Sequence, residues 1–231
     1  IRFQTEVVAA VFRDGSDDWE VRIRGADGRE DVLEARAVIS AVGQLNRPKM
    51  PEIDGLEAFQ GPLVHSGAWP RGLDLAGKRV AVIGSGASAF QIIPELAQTA
   101  QRLSVFQRSP VWMFPNPAYH SSVGEGQRWA LEKLPYYSKW YRFWLFFTSV
   151  EGVYDKTLVD PDWHSTRSVS AANDGMRELL SAWIESQVRD PELLAKVLPT
   201  YPPFGKRILQ DNGTYLAALQ QDNVEVITAG I

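Results

Sequence analysis

The chain has 231 residues, 45% of them apolar and 23% charged, which is enough to build a sizeable core as one large domain or two small ones. A formal net charge of −4 argues against broad nucleic-acid binding and confines any basic site to local clusters, while the lack of cysteine removes disulfides, thiolate metal sites and redox dithiols. His65, His120 and His164 stand in unrelated contexts, so no metal site is expected, and no apolar run reaches the roughly 18 residues of a membrane-spanning helix.

Ile1 lies inside a strand-like run without an initiator Met, and the sequence reads as an excerpt of a longer protein. Arg2 to Phe12, Trp19 to Arg24 and Asp31 to Ile39 are alternating or β-rich runs separated by Asp14-Gly15-Ser16 and Ala26-Asp27-Gly28, which predicts a small antiparallel meander. The third run leads into Ala41-Val42-Gly43, a small-residue turn that after a buried strand lets the backbone approach a ligand or a neighbouring strand. Arg47-Pro48-Lys49-Met50-Pro51 reads as a stiff linker and sets a domain boundary near residue 48.

Residues 59–70, FQGPLVHSGAWP, predict a loop without regular structure. Phe59 and Trp69 are the large side chains expected to anchor its two ends. His65 between them reads, on spacing alone, as a hydrogen-bonded linker histidine.

Lys78 to Pro110 reads as a βαβ unit. Val80 to Ile83 is a short apolar run that breaks into Gly84-Ser85-Gly86-Ala87-Ser88-Ala89, after which Phe90, Ile93, Leu96 and Ala97 recur at helical spacing and Leu103 to Phe106 supplies a second strand. In G-x-G-x-x-A the first glycine makes the tight turn and the second admits a pyrophosphate to the free amides of the helix. The third small residue lets helix and strand pack closely. Arg108 stands where the second strand ends, at the position that reads the adenosine ribose, and an arginine there favours the 2′-phosphate of NADP. Ser109 adds a hydroxyl donor, and Gln91 on the first helical turn a further contact. An arginine at a strand end is also an ordinary surface feature.

Residues 119–199 turn helical, with the aromatic stretch YYSKWYRFWLFF at 136–147 followed by Met176 to Val188 and Pro191 to Leu198 at helical spacing. Core packing of a helical insertion is the favoured reading of the aromatics; a partner surface or interfacial membrane docking, for which Lys139 and Arg142 speak, are the others. Residues 201–213, YPPFGKRILQDNG, form a loop presenting Lys206 and Arg207, and Val224 to Ile227 a last strand.

The pattern F-x-G-x-x-x-H-x-x-x-W-P at 59–70, directly before the G-x-G-x-x-A turn, resembles the Baeyer–Villiger monooxygenases, a branch of the flavin-containing monooxygenases. The resemblance extends over nearly the whole chain, through Gln107-Arg108-Ser109-Pro110, Gly205-Lys206-Arg207 and Asp211-Asn212-Gly213. Trp112 to Pro117 is most similar to the hydroxyacetophenone monooxygenase type. The family's N-terminal G-x-G-x-x-G for FAD has no counterpart here.

The resemblance implies an α/β fold: a Rossmann-like NADP-binding domain (77–118 and 200–231) with a helical insertion (119–199), preceded by an interdomain linker (48–76) and by the β-meander of an incomplete FAD domain (1–47). It implies an FAD- and NADPH-dependent enzyme that inserts one oxygen atom of O2 into a small-molecule ketone, in a cytoplasmic protein without nucleic-acid or membrane contact. The excerpt by itself is expected to bind NADP(H) without turning over. Gly84, Ser85, Gly86, Ala87, Ser88, Gln91, Arg108, Ser109 and Lys206 are implied for NADP. Arg207 is implied as the active-site cation that stabilises negative charge on flavin, and His65 with Trp69 as the coupling between nucleotide position and closure. A flavin monooxygenase acting on nitrogen or sulfur is the first competitor, whose linker motif is expected to end in Tyr or Phe rather than Trp69-Pro70. A non-catalytic NADP-binding or interaction module is the second.

Overall fold

Alternation of apolar and polar residues in the first part of the chain becomes three antiparallel strands, β1 (Thr5–Arg13), β2 (Asp18–Gly25) and β3 (Glu30–Ala35), in the order β1-β2-β3. The computed structural model describes residues 1–43, 45 and 47–231. These divide into two compact units, Ile1–Met50 and Pro51–Ile231.

In the first unit β2 is central and carries the buried Val21 and Ile23, whereas Val7, Val11 and Val32 on its neighbours are exposed. The β1–β2 turn is closed by Arg13, whose Nε and Nη2 donate to the two carboxylate oxygens of Asp18 at 2.8 and 2.6 Å and whose Nη2 also reaches Glu34 at 2.9 Å. Those donors, together with the Ser16 hydroxyl, hold the Asp18 carboxyl down to about 2. The third strand is shorter than its β-rich run: it stops at Ala35, and Val38 and Ile39 are exposed rather than part of a buried strand leading into Ala41-Val42-Gly43. Ala35 pairs with Trp19, one residue from the start of β2, so residues beyond it have no ladder partner.

The second unit is built on the βαβ unit. β4 (Arg79–Ile83) and β5 (Arg102–Phe106) pair in parallel across α1 (Ala87–Thr99), and β8 (Val224–Ile227) adds to β5 in parallel, giving the order β4-β5-β8. A second parallel pair, β6 (Met113–Pro115) with β7 (Leu209–Asp211), follows from neither periodicity nor length in the sequence. The helices between are α2 (Glu125–Lys133), α3 (Tyr137–Tyr154), α4 (Ala171–Glu185) and α5 (Pro191–Val197), and α6 (Thr214–Leu219) leads into β8.

Phe90, Ile93, Leu96 and Ala97 do form the buried face of α1. They share one core with Leu103 and Val105 of β5, with Met176, Leu180 and Ile184 of α4, and with Tyr215 and Leu216 of α6. Phe90 and Tyr215 stack at 4.3 Å between ring centroids, locking α6 onto α1. The α4 start is capped by Ser170, whose hydroxyl accepts from the Asn173 amide, and the α5 start by Asp190 ahead of Pro191.

Three expectations need correction here. The aromatic stretch is not core: α3 buries none of its residues, and Trp140, Phe143, Trp144, Phe146 and Phe147 are all exposed. Its apolar residues run round the whole helix, so its contacts with α2 cover only one side of them. The loop 59–70 is not wholly irregular, because single 3-10 turns form at Leu56–Ala58 just ahead of it and at Ser66–Ala68 within it. One i→i+3 bond suffices for such a turn, and neither glycine nor proline nearby prevents it. Phe59 and Trp69 do not anchor the loop in a core, being 60% and 43% exposed. Phe59 instead folds over Gly61, where an added Cβ would meet its ring at 2.7 Å. Among the described residues no helix is long and apolar enough to cross a membrane.

Candidate functional site

The carboxyl ends of β4 and β5 lie side by side, with Ile83 paired to Phe106. Gly84 leaves β4 with a φ of +106°, a left-handed conformation that favours glycine, and its amide donates to the Phe106 carbonyl of β5 at 2.8 Å. Gly86 is the N-cap of α1 with extended backbone and no side-chain cap, so the first-turn amides of Ala87 and Ser88 are left to an incoming acceptor. A Cβ placed on Gly84 or Gly86 would meet no heavy atom within 4 Å among the described residues, so space stands open above the turn. Ala89, the third small residue of the motif, packs against the core.

A second loop is tied to this turn. Ser85 is buried and its hydroxyl donates to the Ser109 carbonyl at 2.9 Å, so the end of β5 is fastened to the glycine turn. Lys206 comes from the loop before β7, 97 positions away in sequence, and its Nζ donates to the Ser109 hydroxyl at 2.7 Å. The same ammonium stands 4.7 Å from the centre of the Tyr201 ring. Arg108 is exposed beside Ser109, and Arg207 is exposed beside Lys206. In a chain of net charge −4 this is a local concentration of cations next to uncapped helix amides, an arrangement suited to a polyphosphate with an additional phosphate.

Gly84, Ser85, Gly86, Ala87, Ser88, Ser109 and Lys206 are thus brought to one place, with Arg108 at its rim. Gln91 turns its amide back to the Ala87 carbonyl at 2.9 Å and serves its own helix. His65 accepts from the Gly67 amide through Nδ1 at 3.0 Å and caps the 3-10 turn. Among the described residues no hydrogen bond joins His65 or Arg207 to the Ser85–Ser109–Lys206 cluster.

Two supporting residues were not legible as such. Gln107 is buried, and its side-chain amide donates to the Lys196 carbonyl of α5 at 2.7 Å. Tyr201 donates its hydroxyl to the Pro110 carbonyl at 2.9 Å while its own carbonyl accepts from Trp112 Nε1 at 3.0 Å. Burial raises the Tyr201 phenol above its ordinary value, which keeps it protonated as the donor. Their partners lie about 90 positions away in sequence, where no local pattern points to them.

A model of the family described as flavin-binding monooxygenase-like matches residues 1–121, more than half of the chain. The chain belongs to the flavin-binding monooxygenase-like family. Among relatives, an uncharacterized monooxygenase, y4iD, of Sinorhizobium fredii is 42% identical over 222 residues, which are 95% of this chain and 34% of the relative. A Baeyer–Villiger monooxygenase of Streptomyces coelicolor is 34% identical, over 100% of this chain and 41% of its own. Among solved structures, OTEMO in complex with FAD and NADP matches with a TM-score of 0.73 at 28% identity, covering 98% of this chain and 46% of that one. Cyclohexanone monooxygenase from Rhodococcus sp. Phi1 bound to NADP+ matches with a TM-score of 0.69 at 28% identity, again over 98% and 46%. The α/β architecture of this family member is therefore shared with those enzymes, and the chain spans less than half the length of these relatives.

Proposed function

We propose that the chain is the NADP-binding part of an FAD- and NADPH-dependent Baeyer–Villiger monooxygenase, which inserts one oxygen atom of O2 next to the carbonyl of a small-molecule ketone to give an ester or lactone. The observation that carries this reading is the Ser85–Ser109–Lys206 linkage beside the open glycine turn, because it joins a pyrophosphate cradle to a cationic reader of a further phosphate. The names of the relatives favour a ketone substrate over nitrogen or sulfur. The resemblance of Trp112 to Pro117 puts aryl ketones first among those to test. A cytoplasmic location belongs to the same proposal, since reduced nicotinamide nucleotide is an intracellular reductant.

The residues present fit NADPH. The Ala87 and Ser88 amides receive the pyrophosphate at the positive end of α1, with Gly84 and Gly86 keeping the approach clear. Arg108, Ser109 and Lys206 hold the 2′-phosphate by charge-assisted hydrogen bonds. When bound, the nucleotide supplies a hydride for flavin reduction. Arg207, presented beside Lys206, stabilises the negative charge that develops during that chemistry, and the His65 turn couples the linker to nucleotide position. Residues 1–50 carry no glycine-rich phosphate loop, so the roles assigned to this chain concern NADPH, and FAD would be held by other parts of a longer protein.

Titration of the protein with NADP+ and NAD+, with an Arg108→Ala variant alongside, tests the reading. NADP+ is expected to bind more tightly, and the variant to lose about 1.5 to 3 kcal/mol of that preference. Folded protein that binds neither nucleotide, or binds both alike, would overturn it.

A further inference from the structure

Pro202, Pro203, Phe204 and Gly205 form a tight turn immediately before Lys206, closed by the Gly205 amide, which donates to the Pro202 carbonyl at 3.2 Å. Pro203 stands at the second position of the turn and Phe204 at the third, with a φ of +66°, the pattern of a type II turn. Proline suits its place because its ring fixes φ, but the third position favours glycine or asparagine. A bulky phenylalanine in the left-handed region is strained and persists only where its surroundings impose it.

Asn173 imposes it. Type I and type II turns differ chiefly in the peptide between the second and third residues, which is turned over by about 150° and points its carbonyl to the opposite side. Here that carbonyl belongs to Pro203, and Asn173 Nδ2 donates to it at 3.2 Å. Asn173 is completely buried in the first turn of α4. Its Nδ2 also donates to the Lys156 carbonyl at 2.8 Å, and its Oδ1 accepts from the Val169 amide at 3.2 Å. Both amide hydrogens are used, and turning the amide over would set Oδ1 against two carbonyl oxygens. The side chain therefore has one orientation, and so does the Pro203 carbonyl.

We propose that Asn173 is a positioning residue for the preference between NADP and NAD: by holding the Pro203–Phe204 peptide in its left-handed form, it sets the path of the chain into Lys206. The inference rests on the NADP reading above. The loop is already fixed at Tyr201, through Trp112 Nε1 and the Pro110 carbonyl, and Lys206 reaches the Ser109 hydroxyl at 2.7 Å. Between these points the Asn173 bond holds the strained residue. Released from it, Phe204 returns to the right-handed region, and the short tether to Lys206 moves with it, so the ammonium is no longer aimed before the ligand arrives.

Dissociation constants for NADP+ and NAD+ are to be measured on wild-type protein, Asn173→Ala, Phe204→Gly and the double variant, each shown to be folded by circular dichroism. Asn173→Ala is expected to lower the preference for NADP+ about three- to ten-fold, the size of ordering one long side chain, with NAD+ affinity kept within about two-fold. Glycine enters the left-handed region without penalty, so Phe204→Gly alone should keep the preference, and added to Asn173→Ala it should restore it to within about two-fold of wild type. Asn173→Ser, whose hydroxyl stops one bond short of the Nδ2 position, is read in the same way if the alanine variant does not fold. A folded Asn173 variant with the full preference, an equal loss for both nucleotides, or a loss that Phe204→Gly leaves in place would overturn this proposal alone. If folded wild-type protein shows no preference for NADP+ over NAD+, the nucleotide reading fails and takes the role of Asn173 with it.

Discussion

The ammonium of Lys206 is fixed by the Ser109 hydroxyl at 2.7 Å, on the far side of a loop that itself hangs from Ser85. A flexible cation from the end of the chain is therefore aimed, before any ligand arrives, at the strand end that carries Arg108. Holding a long side chain in its bound geometry removes an ordering cost that binding would otherwise incur.

Lys206→Met is expected to weaken NADP+ by about 1.5 to 3 kcal/mol, the size of a hydrogen bond to a charged group, and to leave NAD+ nearly unaffected. Ser109→Ala removes the hydroxyl and frees the lysine, so a smaller loss in the same direction is expected. Calorimetric titration reads both. An equal loss for the two nucleotides would show that Lys206 does not face the 2′-phosphate.

The two glycines of the turn should separate stability from binding. At Gly84, with a φ of +106°, alanine forces a strained backbone and is expected to cost roughly 1 to 3 kcal/mol of stability. Gly86 has a φ of −74° and open space, so alanine there should change stability by less than about 0.5 kcal/mol while lowering nucleotide affinity, because its methyl occupies the pyrophosphate approach. Thermal unfolding together with nucleotide titration checks the pair. A Gly86→Ala protein with full affinity would remove the pyrophosphate from this turn.

Asp211 is completely buried, and its carboxylate accepts from Trp183 Nε1 at 2.9 Å, from the Gly213 amide at 3.1 Å and from the Gln187 side chain at 3.4 Å. Asp211→Ala strands these donors away from water and should cost about 3 kcal/mol in urea unfolding, with Asp211→Asn intermediate because one acceptor oxygen survives. A cost under about 1 kcal/mol would mean that water reaches the donors.

Tyr215 is buried to 1% exposure, and its hydroxyl has no hydrogen-bond partner among the described residues. Burial raises its ionisation, and that of Tyr201, above the ordinary phenol value. A raised phenol in the folded state means that the fold keeps its proton longer than the unfolded chain. Stability is therefore unaffected below about pH 10 and falls as pH rises from there through the folded-state values. Tyr215→Phe should be neutral or stabilising by up to about 1 kcal/mol at pH 7 and should soften the alkaline decline. Denaturant unfolding at pH 7 and pH 11 measures both, and an unchanged alkaline slope would assign the decline to other groups.

The βαβ unit was legible from residue order because its signals are local. Apolar runs, a glycine turn and helical spacing in Phe90, Ile93, Leu96 and Ala97 all lie within about 30 residues and reflect the periods of strand and helix. Gly84, Gly86 and Arg108 could be named as site residues for the same reason. Only the fold decided that Lys206 meets Ser109, that Tyr201 braces Pro110 and that Gln107 holds α5, since those partners are separated by about 90 positions and no sequence period spans such a gap. Strand β3 ended at Ala35, paired one residue from the start of β2, although its β-rich run continued to Ile39. The aromatic residues of α3 show the same limit from the other side. Composition says that such a surface resists water, but whether a neighbour covers it depends on which elements pack there, and in this unit α3 buries none of them.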